Sequence, residues 1–106
     1  MKVIAAKPED RQWTPTDAPG VCYAVLLKLE TGGASVFLRF DKGAVSAEHL
    51  HPMGEELVVL LGDISIGGHR LTQGDYLFTP PGATHDAVAH EDTLLFLRAP
   101  QAPVFV

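Results

Sequence analysis

The sequence predicts an all-β domain, a sandwich or a barrel, and three observations carry that prediction. Helical patterning is nearly absent from the chain. Apolar residues fall instead in short runs rich in Val, Leu, Ile and Phe. Turn-forming residues separate these runs at close, even spacing, as the connections of an all-β fold require.

The elements follow in chain order. The opening segment, residues 1–20, is expected to wrap the barrel as an extended arm, because its stretch Arg11–Gly20 carries Pro15, Pro19 and Gly20. Trp13 is the expected anchor of that arm, packing its large ring rather than gating a ligand. The barrel itself is expected over residues 21–106. Its strands are placed near Val21–Leu29, Ala34–Phe40, Val45–His51, Glu56–Leu61, Ile64–Ile66, Tyr76–Thr79, His85–Ala89 and Thr93–Leu97. Between them stand Thr31-Gly32-Gly33, Asp41-Lys42-Gly43, Pro52-Met53-Gly54, Gly62-Asp63, Gly67-Gly68, Gly74-Asp75, Pro80-Pro81-Gly82 and Glu91-Asp92.

Some of these strands carry a further message. The strand Glu56–Leu61 is apolar on both faces, whereas a strand half exposed to water alternates. One face can fill the interior, and the other needs a cover, either the arm or a second copy of the chain; a homodimer is expected. Arg39 sits among the apolar residues of Phe37–Phe40. Pointing inward it is a buried cation in need of a partner; pointing outward it is a surface or interface residue. Tyr23, Phe37, Phe78 and Phe96 are candidate pocket walls, with plain core packing the simpler reading of each.

Composition narrows the function. A chain of 106 residues is one domain with a modest core. Eight basic residues against thirteen acidic ones give a net charge of −5. Without a Lys/Arg block, such a chain is not expected to grip nucleic acid or an anionic membrane. The longest strictly apolar run, Leu57–Leu61, is far too short to span a bilayer. Met1–Asp10 lacks the basic start and apolar stretch of a secretion signal. The single cysteine, Cys22, cannot form an internal disulfide, so a cytoplasmic setting is expected, with Cys22 as a packed core thiol.

The chemistry gathers around histidine. His49 and His51 stand two apart, which on a strand directs both imidazoles to one side. A turn at Pro52-Met53-Gly54 brings Glu55 and Glu56 back beside them, and His85 lies just past the turn Pro80-Pro81-Gly82. Imidazole and carboxylate suit Fe, Zn, Ni, Mn or Cu, and such a set leaves open positions on an octahedral ion. Singly, each feature is weak: a histidine on an apolar strand is more often packed or solvated than ligating, and a Glu-Glu pair is usually solvated.

Together they form a long gapped pattern. Gly43, five residues, His49-Leu50-His51, three residues, Glu55, six residues and Gly62 resemble the first motif of the cupin superfamily. Gly74, five residues, Pro80-Pro81-Gly82, two residues and His85 resemble the second. The second motif usually ends in Asn, where this chain has Ala89; the departure spares the ligand positions. The resemblance implies a cupin jelly-roll β-barrel whose metal ligands are His49, His51, Glu55 and His85. Its spacing selects Glu55, because Glu56 is one residue too close to Gly62 and would face the other way. Glu56 is then a neighbour of the site or a surface residue. His90 is a candidate outer support of the ligands, and His69 and Arg70 beside Gly67-Gly68 are expected to be solvated at a hairpin end.

A finer resemblance joins Trp13-Thr14-Pro15, Pro19-Gly20-Val21, Phe37–Phe40, Gly43 and the run His49–Glu56 with Val59-Leu60 and Gly62. These are similar to the cupin domain of ChrR-type anti-sigma factors and to acetylacetone-cleaving and dihydroxyacetophenone-cleaving dioxygenases. The chain has no room for the zinc-binding domain with which ChrR proteins hold a sigma factor, so a direct anti-sigma role is not expected. The resemblance implies one divalent transition metal per chain (Fe, Zn, Ni or Mn) and a small-molecule ligand. Two functions fit. One is a dioxygenase-like or isomerase-like enzyme acting on a diketone, enediol or phenolic ketone; the other is a non-catalytic binding or oxidant-sensing module. A purely structural zinc fits less well, since closed structural sites use four tight Cys/His ligands.

Overall fold

Alternation of inward and outward residues along short strands builds two antiparallel sheets that face each other. The computed structural model describes residues 2–105, so Met1 and Val106, the outer ends of the expected arm and barrel, lie outside the described residues. The strands are β1 (Thr14–Pro15), β2 (Val21–Lys28), β3 (Ala34–Phe40), β4 (Val45–Leu50), β5 (Glu55–Leu61), β6 (Asp63–Ile66), β7 (His69–Thr72), β8 (Tyr76–Thr79), β9 (Thr84–Ala89), β10 (Thr93–Ala99) and β11 (Val104–Phe105). The larger sheet runs β1-β2-β3-β10-β5-β8 and the smaller β11-β4-β9-β6-β7. Each sheet keeps open edges, so the expected barrel is a jelly roll of two facing sheets. A 3-10 turn at Pro8–Asp10 precedes them. Among the described residues, no helix is long and apolar enough to cross a membrane.

The core lies between the sheets. Leu57 and Val59 of β5, Leu95 and Leu97 of β10, and Ile64 and Ile66 of β6 all point inward and are buried. Each such side chain removed from water contributes about 1.5–3 kcal/mol. Strand β10 sits between β3 and β5 and pairs with both, so its inner residues Leu95 and Leu97 meet Leu38 and Val36 on one side and Val59 and Leu57 on the other.

The outer face of the larger sheet corrects several expectations. Phe37 and Phe96 pair edge-to-face across β3 and β10 with centroids 6.2 Å apart, on the face away from the inner row of Val36, Leu38, Leu95 and Leu97. Phe78 is exposed, because its partner Glu56 shares the outer face of β5 and β8. Cys22 is half-buried and paired with Arg39, outside the core cluster, since its neighbour Val21 takes the inward position. Arg39 is exposed and stacks 4.3 Å from the centroid of Trp13, which settles its direction as outward. The arm covers part of this face: Arg11 lies 4.0 Å from the centroid of Phe37, and Ile4 and Ala6 share a shallow crevice with Leu26 and Leu27.

Candidate metal centre

The site forms where β4 and β9 of one sheet face β5 and β8 of the other. His49 and His85 are direct partners across β4 and β9, so their side chains leave the sheet side by side. A register shift between Ser46 and His49 precedes this pair and sets which residues of β4 turn inward. On the opposite sheet, Glu55 opens β5 directly across from Thr79, the last residue of β8.

His51 lies one residue beyond β4, where the strand was expected to end, and its backbone is fastened at both groups. Its carbonyl accepts hydrogen bonds from Gly54 N–H at 3.1 Å and Gly82 N–H at 3.0 Å, and its own N–H donates to Ala83 O at 3.3 Å. The turns Pro52-Met53-Gly54 and Pro80-Pro81-Gly82 are thus tied together through His51. Gly54 has φ +80°, and a Cβ there would press on Thr79 O at 2.9 Å. Glycine at this position lets the first turn pass close to the end of β8.

The three imidazoles converge. Their ring centroids are 4.8 Å apart for His49 and His51, 4.6 Å for His49 and His85, and 5.0 Å for His51 and His85. Each offers a nitrogen within 4.8 Å of the others, and all three residues are buried. His49 Nδ1 lies 2.7 Å from Ala47 O. A carbonyl only accepts, so Nδ1 carries the proton and Nε2 keeps its lone pair. His85 Nδ1 lies 2.9 Å from Thr79 Oγ1, a buried contact that turns its Nε2 toward Glu55. Burial pushes the His85 imidazole below its ordinary pKa against the opposing pull of Glu55, with His49 and His51 adding to the downward push. It is therefore neutral at pH 7, the form that can ligate.

Glu55 adjoins the histidine cluster. Its carboxylate oxygens lie 3.0 Å from His51 Nε2 and 3.6 Å from His85 Nε2. Yet neither ring nitrogen of His51 makes a hydrogen bond, although both are buried. Two unsatisfied buried nitrogens beside a buried carboxylate are costly as they stand. A cation shared with Glu55 would take up the lone pair of one of them, and the donor set of imidazole and carboxylate suits a divalent transition metal. The residues present therefore fit such an ion.

Glu56 points away, exposed, and accepts a hydrogen bond from Tyr76 Oη at 2.9 Å. His90 is not a support of the site: its Nε2 lies 2.7 Å from Ser65 Oγ, on the side of β6 opposite the inward Ile64 and Ile66. Arg70 and His69 flank the β6–β7 hairpin as expected, but Arg70 also forks Asp63 with bonds of 3.0 and 2.9 Å. Three contributors escape the sequence reading: Thr79, the carbonyl of Ala47, and Phe105, whose ring centroid lies 5.2 Å from that of His49. A hydroxyl at an inward strand end just before Pro80-Pro81 is the one signal that points to Thr79.

In front of the cluster lies a cavity of about 1230 Å³. Tyr23, Val36, Leu38, Leu57 and Leu97 line it, and exposed Asp17, Lys28 and Gln101 mark where it reaches solvent.

A family model described as the ChrR cupin-like domain matches residues 1–102. The chain belongs to this cupin family. Its cupin fold is shared with solved structures. An acetylacetone dioxygenase from Acinetobacter johnsonii superposes with a TM-score of 0.79 at 16% identity, over 93% of this chain and 73% of that one. The anti-sigma ChrR from Rhodobacter sphaeroides, in complex with SigE, superposes at 0.75 with 24% identity, over 88% of this chain and 50% of that one. In sequence, this cupin is 36% identical to the DNA damage-repair/toleration protein DRT102 of Arabidopsis thaliana over 102 residues. The match covers 90% of this chain and 32% of DRT102, so the chain spans about a third of that relative's length.

Proposed function

We propose that this cupin holds one divalent transition metal through His49, His51, Glu55 and His85, and that it acts as a dioxygenase-type enzyme on an oxygen-bearing small molecule such as a diketone, enediol or phenolic ketone. The observation that carries the proposal is His51, with both ring nitrogens buried and unbonded and Nε2 3.0 Å from the Glu55 carboxylate. A metal bound there supplies Lewis-acid polarisation of a chelating substrate and redox access to dioxygen.

The chain's own residues do the rest. Ala47 O and Thr79 Oγ1 hold the Nδ1 sides of His49 and His85, so each ring keeps one orientation. Glu55 brings the single negative charge that offsets part of the ion's charge. The apolar walls around Leu57 and Leu97 exclude water from the substrate and strengthen its polar contacts at the cluster.

The test is elemental analysis of untagged protein, with anaerobic Fe(II) reconstitution and oxygen uptake measured on adding acetylacetone. About one Fe(II) per chain with diketone-dependent oxygen consumption supports the enzyme. Tight zinc and no response to oxygen replaces it with a binding or sensing module, a reading that the match to the ChrR cupin-like domain favours.

A further inference from the structure

The cavity is larger and drier than a compact diketone needs. Its volume of about 1230 Å³ exceeds the usual range of ligand pockets, which run to about 1,000 Å³ for drug-sized molecules. Its polar side chains are those of the metal centre, the half-buried Tyr23 and Ser46, and the exposed Thr16, Asp17, Lys28 and Gln101 at its solvent margin; the rest of the lining is mostly apolar.

Between these, the sheet register lays out an apolar track. Leu57 is two residues past Glu55 on β5, so both point inward. Leu57 pairs with Leu97, Leu97 with Val36, and Val36 with Val25. This row crosses four strands, about 14 Å at the usual strand spacing. It begins beside the carboxylate and ends at Val25, which is 44% exposed and also lines the cavity. A bound sugar acid would find few partners along it for its hydroxyls. An aryl ring or alkyl chain would displace only poorly held water.

From this row we infer the substrate class: an oxygen chelate with an apolar body, such as an aryl or long-chain β-diketone, its oxygens at the histidine cluster and its body along Leu57, Leu97, Val36 and Val25. The inference rests on the metal-site reading above and adds to it the size and polarity of the ligand.

The experiment is calorimetric binding to the full chain loaded with Zn(II), which separates binding from oxidation. Acetylacetone, benzoylacetone and glucuronate are the probes. Benzoylacetone is expected to bind at least about tenfold more tightly than acetylacetone, the discrimination that even small changes of apolar fit provide. Glucuronate is expected to bind more weakly than both. Val25→Asn, at the partly exposed end of the row, should lower benzoylacetone affinity and leave acetylacetone unchanged. If the protein takes up metal and binds both diketones alike, or prefers glucuronate, the apolar-body inference falls while the metal site stands. Failure to take up metal overturns the site reading and this inference with it.

Discussion

Thr79 and His85 come from different strands, β8 and β9, and meet through a buried contact of 2.9 Å between Oγ1 and Nδ1. With His85 Nε2 given to a metal, Nδ1 carries the proton and donates to the hydroxyl. Thr79→Val keeps the volume and removes the acceptor. Metal affinity, measured by competition with a chromogenic chelator, should fall by about 10–100-fold, the range for lost outer support of a ligating histidine. Thr79→Ser should restore most of it. Equal affinity in the wild type and Thr79→Val would show that the hydroxyl contributes nothing to the ligand.

The two neighbouring glutamates give a sharper test of the site. Glu55 is buried against His51 and His85, while Glu56 faces out to Tyr76. Glu55→Ala should reduce metal content in purified protein well below one per chain; Glu56→Ala should leave it unchanged. His51→Ala should behave like Glu55→Ala. The reverse result for the glutamates, metal lost with Glu56 and kept without Glu55, would mean that β5 enters the sheet one residue out of register.

Why the candidate ligands are legible in the sequence, and the groups that contact them are not, follows from the distance over which each is determined. His49 and His51 are two residues apart, and Glu55 and His85 each follow a proline-glycine turn, so local geometry and spacing bring them forward. The pairing of His49 with His85 and of Glu55 with Thr79 depends on register between strands far apart in the chain. No local pattern displays the shift between Ser46 and His49 that accompanies it. The strands that go unpredicted, β1, β7 and β11, are short and mostly exposed, with little apolar alternation. Phe78 and Cys22 are misjudged for another reason. Apolar character marks a residue for burial, but the face it takes is set by its neighbours Thr79 and Val21, which hold the inward positions.

The outer face of the larger sheet remains apolar beyond the reach of the arm. Leu61 is 56% exposed, Tyr76 55% and Phe78 57%. Val58 and Leu60 between them are half-buried. An apolar patch of this kind marks an interaction surface. A homodimer through this face should appear in sedimentation equilibrium as twice the 11.4 kDa chain mass. Phe78→Lys should shift the population to monomer without lowering metal content, since Phe78 points away from the site. A wild-type chain that stays monomeric at high micromolar concentration would remove the dimer.

Gly43 and Gly62 hold matching places at the two ends of the first motif, and both have positive φ, +84° and +107°. Their surroundings differ. A Cβ at Gly43 would meet nothing within 4 Å, so Gly43→Ala carries only the backbone cost, about 1–2 kcal/mol. A Cβ at Gly62 would collide with Thr93 Oγ1, Thr93 Cα and the carbonyl of Asp92. That hydroxyl donates to Glu91 O at 2.9 Å and accepts from Asp63 N–H at 3.2 Å, joining the start of β6 to the start of β10. Gly62→Ala must therefore displace β10 as well as strain its own backbone, adding about 1–3 kcal/mol of overpacking. Urea denaturation should show a clearly lower midpoint for Gly62→Ala than for Gly43→Ala, at unchanged slope. Equal midpoints would place the cost in the backbone alone and show that the turn before β10 yields freely.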